Sequence, residues 1–141
     1  TECLKPQKGQ QFLEIGTGSG YQAAVLAEIV DRVYTIEIIP ELGNSAAKRL
    51  SSMGYKNVTV KIGDGYAGWK EHGPYDGIMV TAGAESIPPP LTEQLKDGGK
   101  MVIPLGSPYL VQNLILVEKH GKAVLKRNLI PVRFVPFQRG Q

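Results

Sequence analysis

"FLEIGTGSGY", residues 12–21, decides the fold. Glycines at 16, 18 and 20 directly follow a short apolar run, which reads as a buried strand feeding a tight turn. Glycine adopts positive φ without penalty, and it lets a ligand approach the backbone where any Cβ would intrude. "YQAAVLAEIV" then resumes with Ala-rich, helix-favouring content. A glycine turn between a first strand and its helix suggests a nucleotide-like ligand.

The rest of the chain repeats that alternation. "RVYTIEI" carries the β-branched and aromatic residues of a second strand. Pro40 sits where the first turn of a helix tolerates it, and Leu42, Ala46, Leu50 and Met53 draw one apolar stripe that Gly54 is placed to end. "NVTVKI", "YDGIMVTA" and "KMVIPLG" read as further strands, the last preceded by the turn signal "DGG", and "PLTEQL" as a short helix opened by Pro90. Beyond residue 106, "NLILVEK", the turn "HGK" and "AVLKRNLIPVRFVPF" predict antiparallel strands closing one edge, where Pro131 and Pro136 are tolerated. The expected fold is therefore α/β: a doubly wound, mostly parallel sheet of the Rossmann-like kind with an antiparallel C-terminal edge. No repeat or low-complexity tract interrupts it.

Composition narrows the function classes. The 141 residues, 42% of them hydrophobic, are the size of one domain with its own core, so 1–141 is expected to be a single domain. Sixteen basic against 13 acidic residues leave +3, with a mildly basic end at Lys119, Lys122, Lys126, Arg127, Arg133 and Arg139. This scattering is no nucleic-acid footprint, and in "VRFVPF" the residues Val132, Phe134 and Phe137 are read as packing on the sheet. Cys3 stands alone, which fits a reducing compartment. No apolar run approaches about 18 residues, so no membrane partner is expected and a cytoplasmic location is the default.

In a sheet of this kind the ligand lies beyond the carboxyl ends of the strands, where strand order reverses. The residues there are Gly16 to Gly20, Glu37, Asp64, and Thr81 to Ala84. The dinucleotide fingerprint puts glycine at its first, third and sixth positions; counted from Gly16 the third is Gly18, but the sixth is Tyr21. What stands instead is Glu14, followed by Gly16, Thr17, Gly18 and Gly20. A carboxylate ending the first strand repels a pyrophosphate and attracts a cationic amino-acid moiety. That favours S-adenosylmethionine, which bears an ammonium and a sulfonium and no phosphate. Glu37, 21 positions after Gly16, can accept from both ribose hydroxyls, and Asp64 in "GDG" from an adenine amino group. Plainer readings make the glycine segment an ordinary loop, Glu14 and Glu37 solvated strand ends, and "GDG" a turn. Three signals at successive strand ends outweigh them.

"TAGAES", residues 81–86, is the candidate acceptor side. Thr81 either donates to a substrate carboxylate or caps the strand, and spacing leaves both open. Ile87 and Leu91 are read as core, Asp76 as structural, and His72 and His120 as solvated loop histidines.

These residues match a known family. "LEIGTGSGY", "VYTIE", "GDG", "PYDGIMVTAGAESIPPPLTEQLKDGGKMVIPLG" and "LIPVRFVPF" together resemble protein-L-isoaspartate O-methyltransferases, over residues 12 to 137. The stretch from "VTAGA" to "VIPLG" is the specific part, because methyltransferases in general share the glycine loop. The resemblance implies methyl transfer from S-adenosylmethionine to the carboxylate of isoaspartyl residues in damaged proteins. It implies cofactor contacts at the Gly16 loop, at Glu37 and Ile38, at Gly65 and Tyr66 beside Asp64, and near Gln138; Thr81 and Ala82 remain candidate substrate contacts from their place at the strand end alone. The ending "FQRGQ" departs from the family's pattern around Gln138. Family members also carry a helical region before the first strand that helps form the acceptor site, and no counterpart precedes Phe12. The alternatives are a cofactor-binding fragment without turnover and a small-molecule carboxyl or hydroxyl methyltransferase, with a nicotinamide-dependent oxidoreductase a distant third.

Overall fold

A computed structural model describes residues 4–106 and 112–132, with side chains to residue 129. The chain alternates β1 (Gln11–Ile15), α1 (Tyr21–Ala27), β2 (Arg32–Glu37), α2 (Pro40–Ser52), β3 (Val58–Ile62), β4 (Tyr75–Val80), α3 (Pro89–Glu93), β5 (Leu95–Leu105), β6 (Gln112–His120) and β7 (Ala123–Val132). Two short 3₁₀ turns, Gly65–Ala67 and Lys70–His72, lie between β3 and β4.

The strands form one seven-stranded sheet in the order β3-β2-β1-β4-β5-β6-β7. The pairs among β1 to β5 are parallel, and β6 and β7 are added antiparallel, as the sequence predicts. Strand order reverses between β1 and β4, so the switch point lies at the carboxyl ends of Ile15 and Val80, which are register partners.

Both faces are covered. Phe12, Val33, Met79 and Val102 meet Ala23, Ala24 and Leu26 of α1 and Leu50 of α2 on one side. On the other, Leu13, Ile36, Ile78 and Met101 meet Leu91 of α3, with Ile87 and Trp69 packed at the margin. Strands buried on both faces explain why the sequence reads as continuous apolar runs rather than alternation.

Two expectations need correction. Leu42 and Met53 are 43% and 59% exposed, so the buried stripe of α2 is Gly43, Ala46 and Leu50. Gly43 belongs to it because α2 comes close to β2 and β3 there: a Cβ would lie 2.0 Å from Ile62 Cδ1 and 3.4 Å from Glu37 Cβ. "DGG" is not a turn ahead of β5 but part of it. The register between β4 and β5 jumps between Tyr75↔Leu95 and Gly77↔Lys100, and Gly98, at φ +81°, absorbs the irregularity. The expectations for Arg133, Phe134, Pro136, Phe137, Gln138, Arg139 and the side chain of Val132 lie outside what is described, as does that for Cys3.

Candidate active site

The parallel register brings the singled-out residues together at one end of the sheet. β1 ends at Ile15, and Gly16 N–H donates to Ile36 O at 2.8 Å, so the turn begins level with the end of β2. Gly16 has φ +99° and a Cβ there would lie 2.3 Å from Thr81 Oγ1. Only glycine fits where the turn crosses the end of β4. Gly18, at φ +54°, has open space at its Cβ position, so a bound molecule can approach the backbone there.

Glu37 closes over this turn. Its Oε1 accepts from Gly18 N–H at 2.8 Å and its Oε2 from Ile39 N–H at 3.1 Å. The carboxylate is buried but retains lone pairs for two hydroxyl donors. Ile38 follows it, half-buried, at the entry to α2.

Glu14 is not the solvated strand end of the plainer reading: it is fully buried, beside its register partner Thr35 on β2. Thr35 Oγ1 donates to Glu14 Oε1 at 2.6 Å, while Oε2 has no hydrogen-bond partner among the described residues. Burial pushes the carboxyl up to about 7; the Thr35 hydrogen bond opposes this and the charge of Glu37 adds to it. Thr17, also buried, shares a 2.6 Å hydrogen bond with Thr35, so its side chain faces inward beneath the turn.

The loop after β3 lies alongside. Asp64 Oδ1 accepts from Tyr66 N–H at 2.9 Å and so caps the first 3₁₀ turn. Gly65 is buried against β1, where a Cβ would meet Ile15 Cγ2 at 2.3 Å. Gln94, after α3, holds the far side of this loop: Nε2 donates to Ala67 O and Oε1 accepts from Trp69 N–H, each at 2.9 Å.

Across the switch point, Thr81 Oγ1 donates towards Ile15 O and Gly16 O at 3.0 and 3.1 Å. Its one proton here supports the glycine turn, the arrangement that the capping reading describes. Ala82 is half-buried beside it, and the loop is tied to β5 by Ala84 N–H to Pro104 O and Gly106 N–H to Ala84 O, both 3.0 Å. Gly83 is required because a Cβ would lie 2.2 to 2.6 Å from the buried Gln112 amide.

The remaining polar residues fall elsewhere. Asp76 accepts from Gln11 N–H and pairs with Lys96 at 3.3 Å, a structural role as expected. His72 stacks on Tyr34 at 4.3 Å, and His120 pairs with Glu118 on β6. Lys119 reaches back to Glu93 O and Leu95 O, pinning the β6–β7 hairpin to the end of α3.

Sequence reasoning passed over Thr35, Gln94 and Gln112. Thr35 had a signal: a short aliphatic hydroxyl in the middle of the strand sequence "RVYTIEI". Gln94, in the short helical segment "PLTEQL", and Gln112, just before "NLILVEK", carried none.

A sequence model described as protein-L-isoaspartate(D-aspartate) O-methyltransferase (PCMT) matches residues 1–141. The chain belongs to this family. It is 60% identical to protein-L-isoaspartate O-methyltransferase 1 of Nitrosospira multiformis, over 99% of this chain and 60% of the relative. It is 57% identical to protein-L-isoaspartate O-methyltransferase 2 of Syntrophobacter fumaroxidans, over 99% of this chain and 57% of that protein. A solved protein-L-isoaspartate O-methyltransferase superposes with a TM-score of 0.90 at 31% identity, covering 96% of this chain and 44% of the other. The fold also matches, at a TM-score of 0.81 and 24% identity, a Plasmodium falciparum beta-aspartate methyltransferase in complex with S-adenosyl-L-homocysteine, over 95% of this chain and 68% of that one. The chain thus spans about 60% of the length of the isoaspartate methyltransferases it matches in sequence.

Proposed function

We propose that this chain binds S-adenosylmethionine and transfers its methyl group to the free carboxylate of L-isoaspartyl residues in damaged proteins or peptides. The observation that carries the reading is the Glu37 carboxylate fixed across Gly18, beside a buried acid with an unpartnered oxygen, in a chain of this family. The residues fit the donor. Gly18 leaves its backbone open, Glu37 retains acceptor capacity for ribose hydroxyls, and the charge of Glu14 and Glu37 suits a cation and repels a phosphate. Ile38, Asp64, Gly65 and Tyr66 would line the adenine side. The Plasmodium falciparum protein, bound to S-adenosyl-L-homocysteine, supports the same use of this fold.

When bound, S-adenosylmethionine supplies a methyl group activated by a sulfonium. The acceptor carboxylate has a reference pKa of about 3.5 to 4 and is ionised at neutral pH, so no side chain need remove a proton. The task left to the protein is orientation and exclusion of water. Ala82 and the small residues around it would let a peptide backbone approach, while Thr81 holds the turn beneath. The lone cysteine supports a reducing, cytoplasmic setting.

The test measures S-adenosylhomocysteine affinity beside methyl transfer to three acceptors: an isoaspartyl peptide, the matching aspartyl peptide and a free organic acid. Saturable binding with transfer to the isoaspartyl peptide alone is expected. Transfer to the free acid would make the chain a small-molecule methyltransferase, and absence of binding would overturn the reading. Because the chain spans about 60% of its relatives' length, the second reading is binding without turnover, which the same pair of measurements separates.

A further inference from the structure

Thr35 links two groups of the site through its hydroxyl. Its Oγ1 lies 2.6 Å from Glu14 Oε1 and 2.6 Å from Thr17 Oγ1, and all three residues are buried. A hydroxyl has one proton, so the carboxyl sets the direction of the whole chain of hydrogen bonds. With Glu14 ionised, Thr35 donates to it and Thr17 must donate to Thr35. With a proton on Glu14 Oε1, the order reverses: Glu14 donates to Thr35, Thr35 donates to Thr17, and the Thr17 proton turns away from the core. We propose that Thr35 is a positioning residue that passes the charge state of Glu14 to Thr17 and so sets the hydrogen-bond polarity of the glycine turn. That this turn holds the methyl donor rests on the function proposed above.

The environment leaves Thr35 in control. Glu14 Oε2 has no partner among the described residues, so no second hydrogen bond orients the carboxyl. The charged group facing Glu14 is Glu37 of β2. β4 offers Met79 as its register partner, and α1 on the same face carries one ionisable side chain, Tyr21, which is exposed. Glu41, Lys48 and Arg49 of α2 are exposed as well. Burial raises the Glu14 carboxyl to about 7, so both of its charge states are reached near neutral pH.

The test follows the Glu14 carboxyl carbon and the Thr17 and Gly18 amides by NMR in the ligand-free protein, from about pH 5 to about pH 9. In the wild type the two amides are expected to titrate with the Glu14 midpoint. Thr35→Val keeps the shape and removes the hydroxyl; it should raise that midpoint and uncouple the amides, and Thr35→Ser should restore both. Thr17→Val should also shift the midpoint, although Thr17 reaches Glu14 only through Thr35, because coupling between two sites is reciprocal. Amides that titrate with full amplitude in Thr35→Val, or a midpoint unmoved by Thr17→Val, would overturn the proposal. If Thr35→Val does not fold, Thr17→Val and Thr35→Ser carry the test. S-adenosylhomocysteine affinity over the same pH range is then expected to rise with ionisation of Glu14 in the wild type, and to follow the shifted midpoint in Thr17→Val. The ligand-free titration needs no donor, so a wild type that binds none sinks the function reading alone, whereas unmoved titrations sink the relay alone.

Discussion

Glu37 uses both carboxylate oxygens on backbone donors, Gly18 N–H and Ile39 N–H, and this makes it sensitive to more than loss of charge. Glu37→Ala should weaken S-adenosylhomocysteine binding by about 1 to 3 kcal/mol, the usual penalty when a charged hydrogen-bond partner is removed. Glu37→Gln keeps the shape but must turn its NH₂ towards one of the two N–H groups, so it should lose affinity too. Calorimetric titration of both variants decides the matter; an unchanged dissociation constant in either removes that role. The two ends of the glycine turn should respond differently to a methyl group. In Gly16→Ala the new Cβ meets Thr81 Oγ1 at 2.3 Å on a backbone at φ +99°, so the thermal midpoint should fall steeply. In Gly18→Ala the Cβ meets nothing and φ +54° lies in the left-handed basin, costing about 1 to 2 kcal/mol. There the larger loss should be in donor affinity. Equal stability losses, with affinity intact in Gly18→Ala, would mean that no ligand approaches that backbone.

At the scale of elements, the loop after β3 depends on α3. Gln94 clamps Ala67 O and Trp69 N–H, and Gly68 is confined beneath it, since a Cβ there would lie 2.2 to 2.9 Å from the Gln94 amide. Gln94→Ala breaks two hydrogen bonds at about 0.5 to 1.5 kcal/mol each. Stability should therefore drop by roughly 1 to 3 kcal/mol in denaturant unfolding, and donor affinity should fall with it because Asp64 and Tyr66 ride on the same loop. A drop in stability with unaltered affinity would detach that loop from the site. Such a clamp is invisible in the sequence, whereas the strands were legible because "FLEIG", "VYTIE" and "GIMV" carry their burial in their composition. The face of α2 was not legible, because its closest contact is Gly43, which has no hydrophobic side chain to mark it. "DGG" misled for the related reason that a glycine at positive φ serves a strand irregularity as well as a turn. In the site, Glu37 could be placed by counting from Gly16. The burial of Glu14 could not, since it depends on β1 lying between β2 and β4 with helices packed over it.

For the molecule as a whole, Glu14 imposes a pH dependence whose sign follows from its burial. Its carboxyl is raised from an ordinary 4.5 to about 7 in the folded chain, chiefly by desolvation. Below the lower value both folded and unfolded states hold the proton, and Glu14 contributes no slope. Between 4.5 and about 7 the folded state retains a proton that the unfolded state has released, so folding stability declines as pH rises through this window. Above about 7 both states have lost it and the full cost of a buried charge is present, on the order of 3 kcal/mol. Glu14→Gln should abolish this slope. The amide replaces an unpartnered oxygen with an unpartnered NH₂, so the variant carries its own desolvation cost, but one that is the same at every pH. The readout is therefore the difference in unfolding free energy between wild type and variant, measured in urea at several pH values across the window. That difference should move in favour of the variant as pH rises and level off above neutrality. A flat difference would mean that Glu14 is not ionising inside a desolvated core, and the electrostatic pull on a cationic donor argued for this end of the sheet would then fall to Glu37 alone.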